Sequence, residues 1–424
     1  MHRFSGKNIA DLNRSLKNTL AIVLAGGRGS RLLHLTESEA KPGILFGGKY
    51  RIIDFPLSNC INSGLRRISV ITQYRAHTLI HHVQRAWGFL RAELNEFVEI
   101  WPAQQQTSAG NWYQGTADAV FQNLDTIMGH HPEYVLILAG DHVYKQDYSV
   151  MLADHIAHDA DCTVSCIEVP KQDATGFGVI GVDEHDNIIS FVEKPKDPPT
   201  LPGRPDISFA SMGIYIFKAR FLADLLKSDA NLAHSSHDFG KDILPSLIGH
   251  CKIIAHRFTE SCVRNHRLAT AYWRDVGTVD SYWAANIDLT NITPELDLYD
   301  MKWPIWTHQE QWPAAKFIFN DDNRRGQAFD SVISAGCIIS GATVNRSLMS
   351  CNTRANSFSR IEECVLLPGT VIGRHCNLRK AIIDSNCAIP EGLVVGQDPD
   401  LDAKRFHRTK GGVVLITQEM LEKL

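Results

Sequence analysis

Gly26-Gly27-Arg28-Gly29-Ser30-Arg31 follows the apolar run Leu20-Ala21-Ile22-Val23-Leu24, with only Ala25 between them. Glycines let a backbone approach a phosphate closely, and their exposed N–H groups supply donors. Arg28 and Arg31 add fixed positive charge with bidentate reach toward phosphate oxygens. The loop lacks the third glycine of a dinucleotide-binding fingerprint, and no Gly-Lys-Ser/Thr makes it a Walker A loop. On its own it reads equally well as a phosphate cradle and as a turn between strand and helix. Lys41, in Lys41-Pro42, could add charge over a triphosphate. A lone lysine is otherwise a surface residue.

Two carboxylates stand out by their context. Asp141 closes the apolar run of Leu138-Ala139-Gly140-Asp141-His142, and Asp275 sits in Trp273-Arg274-Asp275-Val276-Gly277-Thr278. A carboxylate at the carboxyl end of a strand is a hard oxygen ligand suited to Mg2+. Brought together, the two would hold one or two Mg2+ ions, which neutralise an α-phosphate under attack and a leaving pyrophosphate. Each is equally the aspartate of a helix cap or turn, and spacing alone does not make them meet. Phe191-Val192-Glu193-Lys194-Pro195 places a carboxylate beside an ammonium at a strand end. Glu193 suits sugar hydroxyls and Lys194 a sugar phosphate, although an exposed ion pair at a sheet edge is the commoner use of such a dipeptide. The histidine pairs His81-His82, His130-His131 and His155/His158 do not have HExxH spacing. They are expected on the surface with no zinc role, and no Ser-His-Asp or Cys-His arrangement is expected either.

These residues need elements to hold them. Residues 20 to 290 alternate between strand-like and helix-like stretches. Arg67-Ile68-Ser69-Val70-Ile71-Thr72 and Tyr134-Val135-Leu136-Ile137-Leu138 read as strands, while residues 75 to 92 and Gly115 to Gly129 have helical spacing. Continuous apolar strands between helices imply a parallel sheet covered on both faces. Such sheets bind ligands at the carboxyl ends of their strands, where the glycine loop and Asp141 both fall. After residue 330 the helical period disappears. Ile338 and Val344 lie six apart, as do Leu366, Ile372 and Leu378, which is the inward phase of a hexapeptide β-helix. The phase slips around Asn352 to Ser359, so a short β-helix is expected, with a β-sandwich of short strands as the alternative. The expected division is a catalytic domain over 1–300, a connection over 301–330 and a β-helix domain over 331–424.

Composition agrees with a soluble enzyme of more than one domain. The chain has 424 residues, 44% apolar and 21% charged, with a formal net charge of -4. That charge gives no reason to expect nucleic acid or an anionic membrane as partner. Its ten cysteines form no CxxC pair, so a zinc ribbon is not expected and a reducing, cytoplasmic location is. The one early apolar run, Thr19 to Ala25, is far too short to span a membrane.

Seven motifs in order resemble bacterial ADP-glucose pyrophosphorylases. They are Gly26 to Leu32, Ala40-Lys41-Pro42, Phe46-Gly47-Gly48-Lys49 with Arg51-Ile52-Ile53-Asp54-Phe55, Asn111-Trp112-Tyr113 with Gly115-Thr116-Ala117-Asp118-Ala119, and the three runs around Asp141, Glu193 and Asp275. The resemblance covers nearly the whole chain. It implies an α/β fold: a Rossmann-like nucleotidyltransferase domain with a mostly parallel sheet, then a C-terminal left-handed parallel β-helix. It implies adenylyl transfer from ATP to glucose 1-phosphate with Mg2+ in a homotetramer. Arg28 and Lys41 would clamp the triphosphate, Gly26, Gly27 and Gln105 would meet the nucleotide, and Asp141 and Asp275 would hold the metal. Tyr113, Gly178, Glu193, Lys194 and Ser211 would form the sugar-phosphate pocket. Gln73 and Trp112 match positions tied to communication between regulatory and active sites. One stretch departs from the enteric pattern. Glu37-Ser38-Glu39 stands where a basic run binds fructose 1,6-bisphosphate and AMP, so weak responses to both are expected. Lys49, Arg51, Lys404, Arg405 and Arg408 are left for another effector. Rival readings are a nucleotidyltransferase using another nucleotide, a two-function protein with an acyl-transferring β-helix, and a catalytically silent regulatory subunit.

Overall fold

The computed structural model describes residues 6–27, 29–37, 39–103, 112–264 and 271–424, with side chains from residue 10 onward. Arg28, Ser38, Gln105 and Asn111 lie outside the described residues. A nine-stranded sheet occupies the first part of the chain. Strand Thr19–Leu24 runs parallel to Arg67–Thr72 on one side and to Tyr134–Ala139 on the other, and Phe97–Pro102 extends the parallel part beyond Arg67–Thr72. The long strand Ile207–Lys218 then pairs antiparallel with Tyr134–Ala139, Cys162–Pro170 and Gly178–Val182.

Side-chain alternation explains why these strands are apolar at every position. Leu20, Ile22, Val135 and Ile137 enter one buried cluster, while Ala21, Val23, Leu136 and Leu138 enter the other. Both faces are covered, so each residue of the strand loses water whichever way it points. The helices are shorter than their expected spans. Residues 75 to 92 hold one helix, His77–Ala86. The stretch from Gly115 to Gly129 divides into Thr116–Phe121 and Leu124–Gly129. The break is at Asn123, whose amide donates to the Ala119 carbonyl at 2.8 Å and to the Tyr113 hydroxyl at 3.1 Å. An asparagine amide competes with the helical ladder in this way.

The C-terminal part is a three-faced parallel β-helix. Its faces hold five, five and six strands. Val344, Ile361, Leu378 and Val395 stack in register, each 17 residues after the last. Inward residues Ile339, Val344, Met349, Ala355, Ile361, Leu366, Ile372, Leu378 and Ile383 are all buried. Their spacing is five or six, and one short side per coil produces the phase slip seen in the sequence. Ile339 therefore points inward where a strict six-residue count from Val344 selects Ile338, which is only half-buried. Two strands inside the expected connection, Lys316–Ile318 and Gln327–Phe329, already pair with Ile338–Ser340 and Thr343–Asn345. The coil begins there, and the charged hairpin Asn320–Asp321/Arg324–Arg325 is carried between them. Upstream, Trp303 and Trp306 bond to Asn59 and Ser58 of helix Asp54–Asn62.

The two parts share a core. Phe46, Tyr50, Phe55 and Tyr282 pack with Leu348, Val365, Ile382 and Leu415. Polar ties flank it: Trp283 Nε1 donates to the Glu363 carbonyl at 2.8 Å, and Thr409 Oγ1 to Asp280 at 2.6 Å. No helix among the described residues is long and apolar enough to cross a membrane.

Candidate active site

Glycine loop, carboxylates and sugar-pocket candidates meet in one cavity of about 540 Å³ at the carboxyl ends of Thr19–Leu24 and Tyr134–Ala139. Gly26, Gly27, Gln73, Tyr113, Asp141, Gly178, Glu193, Lys194, Ser211 and Asp275 all line it. Arg28 and Gln105 are not among the described residues. Trp112 is outside the lining and 64% exposed.

Asp141 and Asp275 are 134 positions apart, and a short ribbon joins them. Strand Trp273–Asp275 pairs antiparallel with His142–Tyr144, with Asp275 opposite His142. Each aspartate therefore sits at the same end of the ribbon. The Lys41 ammonium bridges them, 2.9 Å from Asp141 Oδ2 and 2.7 Å from Asp275 Oδ1. Arg31 approaches Asp275 at 3.6 Å. Lys41 is nearly fully buried, because it enters the short turn Lys41–Gly43 from beneath the glycine loop. Gly29 makes room for it: φ there is +62°, and a Cβ would lie 2.9 Å from that of Lys41. Only glycine fits such a place without strain.

Burial alone would lower the Lys41 ammonium, but the charges of Asp141 and Asp275 outweigh it and raise it. Burial would likewise raise the Asp141 carboxyl. The neighbouring His142 and Lys41 prevail and hold it at about 2. Lys41 and Asp141 are thus an ionised pair at neutral pH. His142 joins it from Asp141 Oδ1 at 3.5 Å, with its ring edge-on to Trp273 at 4.9 Å.

One ligand atom each from Asp141, His142 and Asp275 lies within 4.8 Å of the others. Two carboxylates gathered about a single ammonium have the donor chemistry a divalent cation requires, so the residues present fit such an ion.

Gly178, Glu193, Lys194 and Ser211 line another part of the same cavity. Glu193 ends strand Ile188–Glu193, and its carboxylate pairs with the Lys194 ammonium at 3.1 Å. Lys194 has a left-handed backbone, φ +47°, and its N–H donates to the Phe177 carbonyl at 2.9 Å. A non-glycine residue held there marks a constrained position. At Gly178 a Cβ would come within 2.5 Å of the Phe191 ring and 2.9 Å of Glu193 Oε2, so a side chain would displace both. Ser211 lines the wall at a register break in Ile207–Lys218. Ser211 pairs with Cys166, but Tyr215 is the next to pair, with Val164. A bulge re-aims side chains in this way.

Sequence reasoning missed several lining residues, among them Thr116, Phe177, Trp273 and Asp238. Thr116 and Trp273 stand within quoted motifs, three and two residues from the candidates Tyr113 and Asp275. Asp238 carried no signal; it caps the turn Phe239–Ile243 and accepts from Thr116 at 3.0 Å. The histidine reading needs correction. His155 is fully buried and bonds Thr163 at 2.7 Å, and His82 is held 2.6 Å from the buried Asp54. The expected lack of a Ser-His-Asp arrangement is also corrected: Asp154, His256 and Ser261 align at 2.9 Å and 2.9 Å. Ser261 is 3% exposed, which closes it to any substrate.

A doubly covered sheet with a glycine loop, a buried lysine and paired aspartates at its carboxyl edge defines a nucleotidyltransferase. A family model described as Nucleotidyl transferase matches residues 20–292. A second, described as GlmU-like C-terminal hexapeptide, matches residues 313–416. The glucose-1-phosphate adenylyltransferase of Rhodospirillum rubrum is 63% identical over 414 residues, covering 98% of each chain. Those of Rhizobium meliloti and Paramagnetospirillum magneticum are 60% identical over 408 residues and 59% over 414, each covering at least 96% of both chains. The chain belongs to the glucose-1-phosphate adenylyltransferase family.

Proposed function

We propose that this protein transfers the adenylyl group of ATP to α-D-glucose 1-phosphate, giving ADP-glucose and pyrophosphate for glycogen synthesis. The observation that carries the reading is that Asp141 and Asp275, bridged by the buried Lys41, line one cavity together with Glu193 and Lys194. Backbone N–H groups of the Gly26-Gly27 loop, with Arg28, Arg31 and Lys41, receive the triphosphate. Gln105 meets the nucleotide. Glu193 accepts from sugar hydroxyls, Lys194 holds the sugar phosphate, and Tyr113, Gly178 and Ser211 complete that pocket. The sugar phosphate oxygen is already anionic, so it needs no general base. It forms a bond to the α-phosphorus as the α–β bridging bond breaks and pyrophosphate leaves with that electron pair. Catalysis is positioning and charge neutralisation. Asp141 and Asp275 would hold Mg2+, which supplies neutralisation of the phosphate oxygens when bound.

The unit doing this work is the catalytic domain within residues 1–300. The β-helix supports assembly into a homotetramer, with Gln73 and Trp112 in communication between regulatory and active sites. Free cysteines at all ten positions suit a reducing cytoplasm. The purified chain, given glucose 1-phosphate with ATP, UTP, dTTP or GTP, should release pyrophosphate fastest with ATP, by at least about tenfold in kcat/KM. Equal rates with another nucleotide, or no turnover by the folded chain with Mg2+, would overturn the reading.

The same assay tests regulation. Arg51 is engaged by Glu39 at 3.0 Å. Asp384 of the β-helix faces Glu39 and Glu37, and its carboxyl is raised, first by burial and then by Glu39. A bisphosphate meets like charge there. Fructose 1,6-bisphosphate and AMP should each change the rate by less than about twofold. Several-fold activation by fructose 1,6-bisphosphate would refute this.

A further inference from the structure

Helix Tyr148–Ala157, strand Ile253–Arg257 and the short helix Phe258–Ser261 converge away from the active-site cavity. Three potential metal ligands, Asp154, His256 and Glu260, meet there, and His158, whose Nδ1 also reaches the Asp154 carbonyl at 3.0 Å, flanks them. His256 Nδ1 lies 2.9 Å from Asp154 Oδ2, and His158 Nδ1 lies 3.0 Å from Asp154 Oδ1. Single ligand atoms of Asp154, His256 and Glu260 all lie within 4.8 Å of one another. None of the four lines the catalytic cavity.

We propose that Asp154, His158, His256 and Glu260 form a second divalent-cation site, of the zinc class, that clips the helix to the strand. Three features support it. The first is charge. Two carboxylates converge, and among the described residues no lysine or arginine lies within ion-pair distance of either, although the Arg257 charge acts on Glu260. Arg257, the neighbouring cation, is engaged by Asp186 at 2.7 Å and Glu168 at 3.4 Å. A divalent ion would neutralise both carboxylates. The second is the environment of His256, which is fully buried. Its Nε2 lies 2.9 Å from Ser261 Oγ, which also accepts from Gln146 Nε2 at 2.9 Å. A ring N–H donated to that hydroxyl leaves the Nδ1 lone pair aimed at the cluster, the outer-shell arrangement that fixes a ligating histidine. The third is access. His158 is 48% exposed and Asp154 25% exposed, and Glu260 is exposed, so an ion enters from solvent and settles on a buried imidazole. Two imidazoles with two carboxylates favour Zn2+ or Co2+ over Mg2+. Ligand atoms around a tetrahedral zinc stand roughly 3.3 to 3.6 Å apart, so Asp154, His256 and Glu260, whose ligand atoms lie within 4.8 Å of one another, would draw together and His158 would swing in to complete the set.

The site is independent of the adenylyl-transfer reading, and its test is as well. Zn2+ is titrated into metal-stripped, full-length protein by calorimetry, with the melting temperature followed in parallel. Three proteins are compared: wild type, His158→Gln/Glu260→Gln, and Asp275→Asn. Both substituted side chains are exposed, and each protein's metal-free Tm serves as its own baseline. Wild type and Asp275→Asn should bind Zn2+ at this site with a rise of several degrees in Tm. The double variant should lose that rise and at least about tenfold in affinity. Equal Zn2+ affinity and Tm shift in the double variant, or no Zn2+ binding by Asp275→Asn, would overturn the proposal.

Discussion

Asp141→Asn should lower kcat by on the order of 10³-fold or more, about 4 kcal/mol of lost transition-state stabilisation. The substitution is nearly isosteric, so shape is not the cause. Asp141 Oδ2 is 2.9 Å from the Lys41 ammonium, and its other oxygen faces His142 at 3.5 Å. The amide removes a negative charge from a partly enclosed site and turns one acceptor into a donor that points at an ammonium. Cation affinity should fall with kcat, while the far-ultraviolet dichroism stays that of wild type. Cation titration without nucleotide and steady-state kinetics check it. A folded Asp141→Asn enzyme within about tenfold of wild type would remove Asp141 from the metal role.

Lys41→Met should also lower kcat, by about 10² to 10³-fold, the usual cost of deleting one preorganised charge from such a site. Its second effect has the opposite sign from that of Asp141→Asn. The ammonium lies between the two carboxylates and competes with a divalent cation for them. Removing it leaves Arg31, 3.6 Å from Asp275 and largely exposed, as the remaining counter-charge to the two carboxylates, so cation affinity measured without nucleotide should rise. A near-neutral side chain of similar length preserves the packing beneath the glycine loop. A fall in cation affinity in Lys41→Met would show that the lysine organises the aspartates and does not compete for them. An unchanged kcat would exclude it from the triphosphate clamp.

The opposed signs show what the tertiary structure adds. In sequence, Lys41, Asp141 and Asp275 are three charged residues in separate segments. The ribbon between His142–Tyr144 and Trp273–Asp275 makes them one electrostatic unit, and no local pattern encodes that pairing. The same holds for Ser211, which a register break turns toward the cavity, and for Asp238, which enters only because Thr116 meets it at 3.0 Å.

Other features were legible because they are local. Strands such as Leu20 to Leu24 must be apolar at successive positions to be covered on both faces, and that requirement is written in consecutive residues. The hexapeptide phase was legible too, including its slip, since a coil that repeats every 17 residues must shorten one side. The opening loop, Gly26 to Arg31, was recognisable as a candidate phosphate cradle from residue types alone. Its rank above an ordinary turn came from seven motifs in order. What the sequence left undetermined was burial and long-range pairing. It placed His155 and His82 on the surface, where folding buries His155 against Thr163 and holds the half-buried His82 against the buried Asp54. It also kept Asp154, His158, His256 and Glu260 as unrelated residues. A titratable group's chemistry depends on the dielectric and the charges around it, and those come from chain segments that only the fold brings together.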